Sequence, residues 1–272
     1  MEASLHHVTR FCFGASYAVA FLLELAQALK PRPLLRWLSL GFGAAGLFAH
    51  TLFLIFRQPT IAAPFGSLLL LAWVVAVFYF YGTMHHRGQA WAVFVLPLAL
   101  ILIGLSYVFP EGGSQPDPHW FTGESFWGAV HGGLLFLAFV GLCVGGLASA
   151  MYLVQAYRLK AKSVPWKGFR LLSLERLATM NRRAITWAFP LLTAGLLVGV
   201  VLMAQYSGPS LGWTTPRILG TVGLWLAFLV LLYLRYYVHT SNRRLAFLTL
   251  AAFGLLLVTL ATAHPVVRGG RP

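Results

Sequence analysis

Apolar residues in this chain neither alternate with polar ones nor keep to a narrow stripe; they form unbroken runs separated by short polar clusters. The runs fall at roughly 9–29, 37–56, 65–83, 90–108, 126–158, 184–206, 217–238 and 245–263. About 20 such residues cross the hydrocarbon core of a bilayer as α-helix. Lipid offers the backbone no hydrogen-bond partners, so a spanning segment must satisfy itself, and a barrel would show roughly ten-residue alternating strands instead. The pattern predicts an all-α polytopic membrane bundle of eight transmembrane helices, with residues 1–272 as one integral membrane domain.

Composition supports lipid as the main solvent, since 59% of the chain is hydrophobic and only 10% charged. The formal charge of +14 could suggest nucleic acid, but its distribution follows membrane topology. With the N-terminus outside, the inward connections hold Lys30, Arg32, Arg36, Arg87, Arg158, Lys160, Lys162, Lys167, Arg170, Arg176, Arg182, Arg183, Arg235, Arg243 and Arg244, fifteen of the twenty basic residues. The opposite side keeps Arg10, Arg57, Arg217, Arg268 and Arg271, and the loop between the fourth and fifth runs is acidic, with Glu111, Asp117 and Glu124. Both termini are expected outside, no nucleic acid is expected as partner, and the expected location is a bacterial inner (cytoplasmic) membrane.

Residues 1–28 carry features of a signal peptide, with Arg10 before an apolar stretch and Ala26-Gln27-Ala28 as a small-x-small site. Glu24 interrupts that stretch, and cleavage would place Lys30, Arg32 and Arg36 outside, so the segment is read as the first span. Cys12 and Cys143 show no metal-binding or redox spacing and are expected as two separate thiols within helices.

The longest polar stretch, 159–183, is expected to be a basic cytoplasmic loop followed by a short interfacial helix, LLSLERLATMNRR, with Leu171, Leu174, Leu177 and Ala178 at helical spacing. Its cations serve topology and lipid contact more simply than a protein partner. The fifth run, 33 positions long, would reach about 50 Å and should project from the membrane as a stalk. Gly141, Gly145 and Ser149 on it form a small-residue stripe suited to close helix packing.

The candidate chemistry is histidine. His50 and His131 lie a few residues inside the outer ends of the second and fifth runs, which topology makes level. An unpaired imidazole in hydrocarbon is costly, so each should face the bundle interior. Gly43 and Gly46 share a helix face with His50, and Gly132 and Gly133 follow His131, clearing space for a flat ligand. His264, before Pro265, and His119, beside Trp120, could reach the same side, whereas His6, His7, His85, His86 and His239 read as surface residues.

Haem suits this set better than zinc, because a catalytic zinc wants three protein ligands and neither HExxH nor a Cys/His cluster is present. A quinone-linked cytochrome b would ordinarily carry two histidines on one helix, and no run does. Proton or ion transport has thin material, since Glu24 is the single carboxylate deep within a run; its expected partner is Arg235. No nucleophile motif, phosphate loop or dinucleotide fingerprint appears, and the chain is read as non-enzymatic.

Four stretches carry a family resemblance: GLFAHTLFLIFR at 46–57, LLLLAW at 68–73, WGAVHGGLLFLAFVGLCVGGLASAMYLVQ at 127–155 and LLSLERLATMNRRAITWAFPLLTAGLLVG at 171–199. They resemble the CcsA/HemX-like cytochrome c assembly proteins, haem-handling integral membrane proteins, most specifically where Leu-Ser-Leu-Glu runs into Phe189-Pro190-Leu191-Leu192-Thr193. The resemblance implies that His131 is the first external haem ligand, that His264 is near the second, and that His50 matches an early-helix histidine.

Departures from the family pattern narrow the expectation. The tryptophan-rich haem-presenting loop is reduced to SGPSLGWTTPR at 207–217, with Trp213 alone, and a family Tyr-Leu-His reads Tyr233-Leu234-Arg235. These differences move the resemblance toward the HemX or accessory branch. The expectation is one haem b near the outer leaflet, with His131 as ligand and His50 or His264 as its partner. A cytochrome c assembly protein is the implied partner besides membrane lipid. The alternative is a haem-free regulator whose 159–183 segment binds a cytosolic haem-synthesis enzyme.

Overall fold

A computed structural model describes residues 9–59, 64–85, 90–109, 123–161, 170–205 and 216–262. The described residues form eight helices: α1 (Arg10–Leu29), α2 (Pro33–Arg57), α3 (Pro64–His85), α4 (Ala92–Ser106), α5 (Gly123–Ala161), α6 (Leu174–Gln205), α7 (Pro216–Tyr236) and α8 (Asn242–Thr262). All except α4 are long and apolar enough to cross a bilayer. The chain is an all-helical integral membrane bundle. With only 15 residues, α4 is shorter than the apolar pattern predicts, because the backbone turns at Ala90 and Trp91 before it and at Tyr107 and Val108 after it. α5, at 39 residues, is longer than its apolar run and reaches about 58 Å at helical rise.

The expected interfacial helix is not a separate element. α6 starts at Leu174 and runs through to Gln205 without a break. No glycine or proline stands between Leu174 and Ala188 to stop it. Its buried positions Leu177, Asn181, Ile185, Ala188 and Leu192 make one continuous stripe, so the amphipathic start packs along α5 with the rest of the helix.

The helices form two rings of four. In the first, α1 packs on α2, α2 on α3, α3 on α4, and α4 closes on α1; in the second, α5, α6, α7 and α8 repeat that order, with α8 closing on α5. The rings meet through smaller contacts of α3 and α4 with α5 and of α3 with α8. At one face the Ala90 N–H also donates to the Arg170 carbonyl at 2.7 Å, and Leu171 packs near Ala28 and Ala90.

The repetition extends to individual bonds. In the first ring the Ser39 hydroxyl on α2 reaches the Ala20 carbonyl at 3.3 Å and Glu24 Oε1 at 2.8 Å on α1. In the second, the Asn181 amide on α6 reaches the Gly145 carbonyl at 3.2 Å and Ser149 Oγ at 2.7 Å on α5. Helix crossings match: a Cβ at Gly46 would stand 3.1 Å from that of Ser16, and one at Gly141 would stand 2.8 Å from that of Ala188. Tryptophan staples match as well. Trp73 on α3 donates to Thr51 Oγ1 at 2.9 Å, and Trp225 on α7 donates to Thr193 Oγ1 at 3.0 Å. Each threonine in turn bonds the carbonyl four residues earlier in its helix, fixing its rotamer for the incoming indole.

Candidate functional site

His131 lies eight residues into α5, half-buried against α6. Its Nδ1 is 2.7 Å from the Gly195 carbonyl. A carbonyl oxygen can only accept, so Nδ1 carries the proton, and in the neutral ring Nε2 keeps its lone pair. Gly199, one turn after Gly195, makes this seat possible: a Cβ there would stand 2.6 Å from His131 Cε1 and 2.9 Å from Nδ1. An imidazole whose second nitrogen is fixed on a backbone carbonyl is the arrangement that orients histidine ligands toward metal ions.

Space surrounds the same end of α5. A side-chain atom added at Gly128, Gly132 or Gly133 would meet nothing within 4 Å among the described residues. Phe126 and Trp127 beside them are about half exposed. Among the described residues no three of His, Cys, Asp or Glu gather as a metal-binding group.

His50 sits differently. It is fully buried in the first ring, stacked on Phe13 with centroids 4.1 Å apart and planes 3° from parallel, and edge-on to Tyr17 at 6.1 Å. Among the described residues only the Leu69 backbone lies close enough to its ring nitrogens to interact. The glycines expected to clear ligand space beside it admit tyrosines instead. A Cβ at Gly43 would stand 2.6 Å from the Tyr79 ring and one at Gly46 would stand 2.9 Å from Tyr17.

The structure thus places His50 inside the α1–α4 ring and His131 against α6, and it does not bring them together. His264 and His119 fall outside the described residues, as do Trp213 and most of the shortened loop.

Glu24 and Arg235 are likewise not paired with each other. Glu24 accepts from Ser39, and Arg235 Nη2 donates to Asn181 Oδ1 at 2.9 Å in the other ring. The seat of His131 on Gly195 and Gly199 escapes a reading of α5 alone. The signal lies on α6, in the four-residue spacing of those glycines.

The family described as "Cytochrome C assembly protein" matches residues 61–263. The chain belongs to this cytochrome c assembly family. The matched stretch runs from the start of α3 to the end of α8 and contains His131, whereas His50 precedes it and His264 follows it.

Similar proteins named cytochrome c biogenesis protein CcsA occur in Gloeobacter violaceus, at 25% identity over 90% of this chain and 88% of the relative. Others are found in Synechococcus elongatus, at 24% over 71% and 72%, and Guillardia theta, at 26% over 71% and 69%. No solved structure matches the chain.

Proposed function

We propose that this chain is a haem-handling protein of cytochrome c biogenesis that holds haem b through His131. One observation carries the reading: Nδ1 of His131 is bound to the Gly195 carbonyl, which among the described residues leaves Nε2 fixed and unspent beside glycines with open space around them. Nε2 of His131 would hold a bound haem, and the group would supply its iron. Membership of the cytochrome c assembly family supports the same chemistry.

His264 is the partner ligand in this reading, two residues beyond the last helical residue Thr262. This reading leaves out His50, whose ring packs against Phe13 and Tyr17. The basic ends of the helices face the cytoplasm, and α5 presents His131 toward the outer leaflet of a bacterial cytoplasmic membrane.

The test is absorption spectroscopy of protein purified after expression with ample haem. Wild-type protein should show a Soret band that shifts or disappears in His131→Ala and persists in His50→Leu. Haem-free wild-type protein, or an unaltered band in His131→Ala, sinks the proposal.

A further inference from the structure

A cavity of about 530 Å³ lies far from His131, at the basic ends of α6, α7 and α8. Arg182 and Arg235 line it together with His239, Thr240 and Asn242, and Glu175 is the acid in its wall. Arg235 is half-buried and anchored by one donor to Asn181, leaving other guanidinium N–H groups free of that bond. Arg182 is near enough for the two like charges to repel.

The chain geometry concentrates more positive character there. Only residues 237–241 separate α7 from α8, and His239 takes a left-handed conformation, φ 52°, that reverses the chain. The Thr240 N–H closes the end of α7 by donating to the Leu234 carbonyl at 3.0 Å. This brings the N-terminus of the 21-residue α8 to the cavity, and its first turn contains no acid to offset the N–H dipoles. Two guanidinium groups and a helix N-terminus thus converge on a space that holds a single carboxylate.

We propose that this cavity is an oxyanion site that takes the phosphate of an anionic phospholipid headgroup. Arg182 and Arg235 bind the phosphate oxygens and the α8 N-terminus faces them. A lipid fits better than a free anion because the same wall carries Tyr152, Leu174, Ala178 and Leu245, an apolar surface for the atoms beyond the headgroup. The cavity also lies where apolar spans give way to basic helix ends.

The experiment titrates phosphatidylglycerol, and separately inorganic phosphate, into the full chain in a neutral detergent, with bound lipid counted by native mass spectrometry. Arg182 is exposed, so Arg182→Gln leaves the packed interior intact. Arg183→Gln is the control, because Arg183 faces a different groove between α5 and α6. Phosphatidylglycerol should bind wild type and Arg183→Gln alike and Arg182→Gln about tenfold more weakly, with inorganic phosphate competing poorly. Equal losses in the two variants, or no loss in Arg182→Gln, overturn the site. Inorganic phosphate binding as tightly as the lipid overturns the lipid as its source.

Discussion

At the residue scale, the two intramembrane histidines show how one side chain acquires different roles. His131 has a bonded nitrogen and, among the described residues, a spare one, whereas the buried His50 ring has only the Leu69 backbone close enough to interact. A desolvated polar ring that keeps at best one weak backbone contact costs up to about 1–3 kcal/mol, while the stack on Phe13 returns about 0.5–1.5 kcal/mol. The equivalent position in the second ring is Leu192, also fully buried. Replacing His50 with leucine should therefore leave stability unchanged or raise it by about 1 kcal/mol. Thermal unfolding in detergent checks this, and a fall in Tm of more than a few degrees would show that the Leu69 contact is a stabilising hydrogen bond. Both histidines were legible in the sequence. Which one keeps a usable nitrogen was not, because that depends on a ring from α1 and a carbonyl from α6.

At the scale of elements, span positions were legible because the apolar runs are long and lipid permits only one way to satisfy the backbone. The start of α6 differs from the pattern for a physical reason: LLSLERLATMNRR has the polarity of a surface helix, yet from Leu174 it is continuous with the rest of α6 along α5. Asn181 sits in that stretch. Its amide reaches Gly145, Ser149 and Thr249 Oγ1, the last at 3.1 Å, and its carbonyl oxygen accepts from Arg235. One side chain therefore joins α5, α6, α7 and α8. Asn181→Ala leaves a half-buried guanidinium without this acceptor and should cost about 1–3 kcal/mol, above the roughly 0.6 kcal/mol typical of one interhelical bond in a membrane. Denaturant unfolding in mixed micelles measures the loss. Stability equal to wild type would mean that Arg235 and the α5–α8 ring hold without the network.

At the scale of the whole molecule, the repeated ring is the feature a scan at one fixed period misses. Ser39, Gly46 and Thr51 each lie 142 positions before Asn181, Ala188 and Thr193, yet Ala20 and Glu24 lie 125 before Gly145 and Ser149. Trp73 lies 152 before Trp225. Connections of different length shift the register from helix to helix, and the matched residues are mostly different in kind. What is retained is the position at which each helix pair bonds and crosses.

Four helices return the chain to the same side, so both rings run in the same direction, and contacts within each ring greatly exceed those between rings. Each ring should therefore retain its packing when the peptide link between them is cut. A chain divided within 110–122 and co-expressed as two fragments should purify as one complex with the helix content of wild type by circular dichroism. The His131 seat lies wholly in the second fragment, since Gly195 and Gly199 do as well, and its spectral signature should survive the cut. Fragments that accumulate only when joined would show that the α3–α5, α4–α5 and α3–α8 contacts must form while the chain is continuous, making the rings parts of one cooperative fold.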